Sequence, residues 1–431
     1  MSGGVNQYTR GIILTQTKRD KTKKQQARRE RRALRRYKIA FAFFRFIMTP
    51  FVRLKFRFRY DSLKKIKGPY LLLANHNMEM DPILMGIAAK RQLFFVASEH
   101  IARKGFGTWF LMRYFHPILH RKGKDGARSV MNILKTLRGG SSVMLFPEGN
   151  RSFDGVTCPI PEATGKMAKH AGVPVITYRM EGGYLSQPRF STTLRRGRVT
   201  GKLIRVYSPE ELKAMSDSEV NETFARDLYE DAYEAQERER IAFKGKRLAK
   251  GLESTLYRCP QCGAFGTLTS DNRTLRCTCG YEAGYDVYGY LGEHSMRDLC
   301  KQQREALRQR LDDTGCDAGE IFRDRVTVRR IGEDHKVLTE CVGEIYANRD
   351  GVYVTYGNAE TDDNPAADGP MTDTLREIAI YSRNYIAAYG GDDAWSYDIR
   401  GDESFNALKY RDLHTEAASL RERRGHAGAT D

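Results

Sequence analysis

Residues 75–82 read "NHNMEMDP", which sets His76 and Asp81 five positions apart, directly after the apolar run "LLLA" and before a helix opened by Pro82. A turn of that length can fold Asp81 back onto the imidazole. One ring N–H then hydrogen-bonds to the carboxylate, which fixes the tautomer and stabilises the imidazolium formed when the other nitrogen takes a proton from a substrate, the arrangement of a general base. Two plainer readings stand beside it: a structural histidine in a turn, and an aspartate that caps the helix before proline. A second cluster, "FPEGNRS" at 146–152, also follows an apolar run. It gathers the Glu148 carboxylate, the Gly149 backbone and the Arg151 guanidinium, which suits a phosphate or a hydroxyl-bearing substrate. Its alternative is a Glu148 to Arg151 salt bridge closing a loop. Between the two lies "HPILHRKGKDGA", 116–127, where Arg121, Lys122 and Lys124 precede a helix. Cations beside a helix N-terminus make a phosphate site, although the same residues also suit an exposed turn.

These residues need a scaffold that delivers them to one edge. The runs "YLLLAN", "LFFVAS", "SSVMLF" and "VPVITY" read as buried strands, with helical periodicity between them, notably at 125–138. That alternation predicts an α/β sheet flanked by helices, with the unusual residues at strand ends, where such sheets bind ligands.

The order "NHNMEMDP", "HRKG", "FPEGNRS", "VPVI" resembles the four blocks of the glycerolipid acyltransferases, the family that includes lysophosphatidic acid acyltransferase. The resemblance spans about residues 60–205. It implies that His76 deprotonates an acceptor hydroxyl, supported by Asp81, and that the hydroxyl attacks an acyl thioester of coenzyme A or acyl carrier protein. It implies also that Arg121, Lys122, Glu148, Gly149 and Arg151 hold the phosphate of a lysophospholipid acceptor such as 1-acyl-glycerol-3-phosphate, with Pro174 shaping the acyl side of the cleft. The chain departs from the pattern at Asn77, Met78, Glu79 and Met80, where the family usually has a Ser or Thr, and at Asn150, where it usually has Thr. No Ser-His or Cys-His nucleophile pair is evident, and direct transfer is expected over an acyl-enzyme. Cys158 stands alone.

Cys259, Cys262, Cys277 and Cys279 form two glycine-flanked knuckles. Four thiolates at such spacing suit a structural Zn²⁺ with no open coordination position, and the segment resembles a zinc ribbon. It holds only Arg273 and Arg276 as basic residues between the knuckles, so packing or protein contact is a better account of it than nucleic-acid contact. The other cysteines are scattered, which suits a reducing compartment.

The 431 residues carry a formal charge of +18. Residues 18–36 hold eleven Lys and Arg against Asp20 and Glu30, a local net of +9. Phe41, Phe43, Phe44, Phe46, Ile47 and Phe51 follow, then the alternating "VRLKFRFRY". Cations beside aromatics suit an anionic membrane surface. The run 39–52 is interrupted by Arg45 and Pro50 and is too short to span a bilayer. The expectation is a peripheral protein on the cytoplasmic face of the membrane, with neither signal peptide nor spanning helix. The competing class is a nucleic-acid-binding protein that uses the arm and the ribbon; it leaves His76, Asp81, Glu148 and Arg151 without a role.

The expected organisation is a basic, aromatic arm over 1–59, an acyltransferase domain over 60–250, the zinc ribbon over 251–292, and a β-rich α+β module over 293–431 with a frayed tail. Ser208 and Pro209 open a helix, a long helical pattern covers 219–249, and another covers 296–312. "RVTVRRI", "GVYVTYG", "REIAIYSRNYIAAYGG" and "AWSYDIRG" read as strands, 357–371 as a loop, and 404–424 as a closing helix. This module resembles pleckstrin-homology-like folds.

Overall fold

The computed structural model describes residues 5–98, 112–113, 115–120, 126–313, 319–332, 336–357, 371–390 and 396–427. The chain opens with one long helix, α1 (Val5–Phe56). A seven-stranded sheet follows, made of β1 (Arg59–Tyr60), β2 (Leu71–Ala74), β3 (Phe94–Ser98), β4 (Ile118–His120), β5 (Val143–Leu145), β6 (Val175–Glu181) and β7 (Thr200–Tyr207). Its order is β1-β7-β6-β2-β5-β3-β4, parallel throughout except where β7 runs against β6.

Alternation along the strands sends side chains to opposite faces, and both faces are apolar. Leu72, Ala74, Met144, Ile176 and Tyr178 pack on one side with Val52 and Phe56 of α1 and with Leu84, Met85 and Ala88 of α2 (Asp81–Ala89). Leu71, Leu73, Val143 and Val175 pack on the other, against α3 (Gly126–Arg138), α4 (Ala163–His170) and, beyond a short α5 (Gly183–Ser186) and α6 (Pro209–Ala214), α7 (Asp217–Leu228). Each fully buried Leu or Val in this sandwich contributes about 1.5–3 kcal/mol.

Two expectations change here. Phe41 was expected to meet lipid with the other aromatics of the arm. It is buried instead, so close to α2 that a Cβ at Gly86 would lie 2.8 Å from its ring. The helical pattern over 219–249 is not one helix. Asp231 accepts the N–H groups of Tyr233 and Glu234 and starts a new helix, α8 (Ala232–Glu239), which stops at Arg240 in the left-handed region. Ser208 caps α6 as its sequence predicts, completing a capping box with Glu211.

Downstream, β8 (Leu268–Ser270), β9 (Thr274–Cys277) and β10 (Glu282–Gly284) form a small antiparallel sheet, and β11 (Tyr290–Leu291) pairs with β12 (His294–Ser295). Helix α9 (Met296–Asp313) leads into β13 (Phe322–Ile331), β14 (Val337–Asn348), β15 (Gly351–Tyr356), β16 (Met371–Ser382), β17 (Tyr385–Gly390) and β18 (Ser396–Arg400). These six strands close into an antiparallel barrel through the pairing of β13 with β18. Closure leaves no open sheet edge. Helix α10 (Ala407–Ala427) packs Leu408, Tyr410, Leu413, Ala417 and Leu420 into the same core. Most of the loop expected at 357–371, and the tail 428–431, lie outside the described residues.

Candidate active site

β2 ends at Ala74, and the chain turns at once into the loop that carries His76. Two asparagines pin this loop to β6. Asn75 donates to the Met180 carbonyl at 2.8 Å and accepts the Met180 N–H at 2.7 Å. Asn77 donates to the same carbonyl and to Glu230, each at 3.1 Å. Glu230 is fully buried, and desolvation raises its pKa well above the ordinary carboxylate range.

The Asp81 carboxylate is wholly buried at the start of α2. Its Oδ2 accepts His76 Nδ1 at 2.9 Å, the Asn77 N–H at 2.7 Å and the Met78 N–H at 2.9 Å. A carboxylate only accepts, so the proton sits on Nδ1 and Nε2 presents its lone pair. The ring stacks on Phe146 at 4.1 Å between centroids, and its side chain keeps 21% of its surface exposed. The imidazole is held yet reachable.

The second loop locks onto the first. Glu148 Oε1 accepts the His76 N–H and Oε2 accepts the Cys158 N–H, both at 2.6 Å. The Ser152 N–H in turn donates to the His76 carbonyl at 3.2 Å. Burial pushes the Glu148 carboxyl up to about 8 in spite of these two N–H donors. Both oxygens of a carboxylate expected to hold substrate are therefore already taken up by backbone. Gly149 has φ +67°, and a Cβ there would touch nothing within 4 Å. Its positive φ suits glycine, and the space beside it is open.

Arg151 Nη2 donates to Glu79 at 3.1 Å, so its partner is Glu79 and not Glu148. Burial lowers the Arg151 pKa, opposed by the carboxylates of Glu79 and Asp81. Gln187 grips Glu79 twice, donating Nε2 to its carboxylate and accepting its N–H, each at 3.1 Å. Burial also raises the Cys158 thiol to about 12, which leaves it protonated at neutral pH. Arg121 and Lys122 lie outside the described residues. Pro174 does not border this site. Its carbonyl accepts the Leu71 N–H at the opposite end of β2, about five strand residues or roughly 16 Å from His76.

Elsewhere, the Sγ atoms of Cys259, Cys262, Cys277 and Cys279 all lie within 4.8 Å of one another. Cys259 to Cys279 is 3.9 Å and Cys262 to Cys277 is 3.8 Å. Four thiolates about 2.3 Å from a tetrahedral Zn²⁺ stand about 3.8 Å apart, so the donor set fits that ion. Arg276, one of two basic residues between the knuckles, is paired with Asp271 and Glu282.

Residues 55–181 match the family model described as Acyltransferase, and that segment contains His76, Asp81, Glu148 and Arg151. Among solved structures, the chain is similar to the 1-acyl-sn-glycerophosphate (LPA) acyltransferase PlsC from Thermotoga maritima, at 24% sequence identity and a TM-score of 0.36, over 41% of this chain and 73% of that one.

Sequence reasoning missed Asn75, Asn77, Gln187 and Glu230 as loop anchors. The asparagines flank His76 and could have been suspected as polar residues entering a buried turn. Glu230 and Gln187 carry no local signal, since their partners lie more than a hundred residues away.

Glu148→Gln is expected to lower the unfolding free energy by about 1–3 kcal/mol, because its amide nitrogen must face one of the two N–H donors. A carboxylate that only met substrate would leave the thermal midpoint unchanged. The folded chain holds the Glu148 proton up to about pH 8, whereas the ordinary value is 4.5. Stability from this group is complete below the ordinary value and is lost as pH rises through 8, and the glutamine variant should lack that slope.

Proposed function

We propose that this protein is a peripheral membrane O-acyltransferase that moves a fatty acyl group from an acyl thioester to the hydroxyl of a lysophospholipid-type acceptor. The observation that carries the reading is the His76 to Asp81 pair, with Nδ1 bound at 2.9 Å and the ring partly exposed. The acceptor hydroxyl gives its proton to His76 Nε2 as its oxygen bonds to the thioester carbonyl carbon. Asp81 stabilises the imidazolium. The tetrahedral intermediate then breaks its C–S bond, and the departing sulfur takes the proton back from Nε2. A positioned base of this kind contributes about 10²–10⁴ in rate. Arg151 holds the acceptor phosphate, so that remote binding energy keeps the hydroxyl in place. Glu148 is a positioning residue that acts through the His76 backbone.

Membrane attachment is supported by the outer side of α1. Ile39, Phe43, Phe46, Ile47, Phe51 and Leu54 are exposed there by 42–78%, on the side away from buried Phe41, Val52 and Phe56. Beside them a groove pairs an apolar floor of Phe46, Ile47, Pro50 and Ile87 with a rim of Arg45, Arg53 and Lys90. Apolar side chains ringed by cations suit the boundary between headgroups and acyl chains. No helix among the described residues is long and apolar enough to cross a membrane. The four cysteines hold a structural zinc that staples β8–β10, and the neutralised Arg276 favours packing over nucleic-acid contact.

With purified protein, an acyl thioester and mixed lysolipids, acylated lipid should appear by mass spectrometry. His76→Ala should cut the turnover number by about 10²–10⁴ with an unchanged circular dichroism spectrum; undiminished turnover would remove the base. Replacing Phe43 and Phe46 together by Ser should weaken co-sedimentation with anionic vesicles, and tighter retention on DNA or RNA filters than on vesicles would favour the competing class. Native mass spectrometry should find one zinc per chain, lost in Cys262→Ser and on chelation together with a drop in melting temperature.

A further inference from the structure

Phe153, two residues after Arg151, leaves the site loop and joins the core of the C-terminal barrel. The guanidinium carbon of Arg189 lies 3.9 Å from its ring centroid, and that of Arg411, on α10, lies 4.6 Å away. Arg189 Nη1 donates to the Arg151 carbonyl at 3.0 Å and Nη2 to the Ile380 carbonyl of β16 at 2.6 Å. Three arginines from three parts of the chain thus gather where the site loop meets the barrel. Arg189 and Arg411 both lie outside the segment that matches the family model.

Their charge is only partly balanced: Glu79 acts on Arg189 as well as on Arg151, and the Asp412 carboxyl interacts with Arg411. Arg151 has Glu79, but among the described residues no carboxylate pairs with Arg189 or Arg411. The nearby acids are committed elsewhere: Asp154 to Arg304 at 2.9 Å, Asp412 to the Tyr257 hydroxyl at 3.0 Å, and Glu148 to two backbone N–H groups. Burial, together with Arg151 and Arg411, pulls the Arg189 pKa down to about 9. Arg189 and Arg411 are both half-buried, and like charges held together with reduced access to water are costly unless an anion joins them. Arg189 spends two of its five N–H donors on carbonyls and keeps three.

We propose that Arg189 and Arg411, with Arg151, form a phosphomonoester subsite beside the His76 loop, so that the C-terminal barrel and α10 complete the substrate site. Three guanidiniums around the Glu79 carboxylate leave an excess of positive charge, which favours the roughly −1.5 to −2 of a phosphomonoester over the single charge of a phosphodiester. Arginine forks bind such groups bidentately. The phosphate has two possible sources, the head of a phosphomonoester acceptor or the 3′-phosphate of coenzyme A. The proposal rests on the acyl-transfer reading for its substrates, but not for its binding step.

Inorganic phosphate titrated into the full-length protein by calorimetry, at constant ionic strength, should bind saturably. Arg411→Gln should weaken that binding by about 10- to 100-fold, and Arg411→Lys by less, because it keeps the charge but loses the fork. In turnover assays the same variant should raise the Michaelis constant with the turnover number nearly unchanged. A rise confined to the phosphomonoester acceptor assigns the acceptor head; a rise confined to acyl-coenzyme A, and absent with the dephospho-coenzyme A thioester, assigns the donor. Absence of saturable phosphate binding by the unmodified protein would overturn the subsite, as would an Arg411→Gln variant that melts like the parent and binds phosphate equally well. Should Arg411→Gln not fold, the parent titration and the lysine variant still decide. Failure of every acceptor and donor to react would remove acyl transfer while leaving the phosphate titrations to judge the subsite.

Discussion

One carboxylate oxygen organises the site. Asp81 Oδ2 collects an imidazole N–H and two backbone N–H groups while it is sealed from solvent. Burying an ionised carboxylate costs several kcal/mol, and three donors on its charged form are what offset that cost. The turn from Asn75 to Asp81 can only close around this oxygen, and closing it fixes the tautomer of His76. Nearly everything else nearby keeps that turn in place: Asn75 and Asn77 tie it to β6, and Glu148 and Ser152 tie it to the second loop.

The second loop is held from behind. Its Phe153 sits in the barrel core with Tyr410 and Leu413 of α10, and its Arg151 carbonyl takes a bond from Arg189, which also grips β16. Arg304 of α9 reaches Asp154 in the same loop. The acyltransferase-type sheet and the barrel are thus not beads on a string. The loop that braces His76 is itself packed into the C-terminal core, and loosening the barrel would reach His76 through Phe153, Ser152 and Glu148.

What the sequence made legible was local. His76 and Asp81 are five residues apart, so their meeting follows from a single turn, and each cysteine knuckle is likewise local, although the two knuckles meet across 15 to 20 residues. The strands of the sheet announced themselves as apolar runs, and the barrel strands as alternating ones. Illegible were features set by distant partners. Glu148 looked like a substrate ligand because its two N–H donors come from His76, 72 residues back, and from Cys158 beyond a turn. Barrel closure depends on β13 meeting β18, with Val328 opposite Ile399, which no local pattern encodes. Pro174 directly precedes β6 and so borders the N-terminal edge of that strand, whereas β2, parallel to it, delivers His76 at the opposite edge. Phe41 looked like its neighbours until helical periodicity in three dimensions turned it to the core and left Phe43 and Phe46 outside.

That last division has a mechanical consequence. Helix α1 is apolar on two sides, and the inner side is seated on α2 through Phe41 against Gly86, where a single methyl group would clash. Helix α2 begins at Asp81. The element whose outer side offers Phe43, Phe46 and Leu54 is therefore packed directly on the helix that begins with the Asp81 carboxylate, with no side chain on Gly86 to cushion the contact. Close-packed interiors transmit displacement and do not absorb it. A surface that engages the outer side of α1 is accordingly registered, through one glycine, against the residue that aims His76.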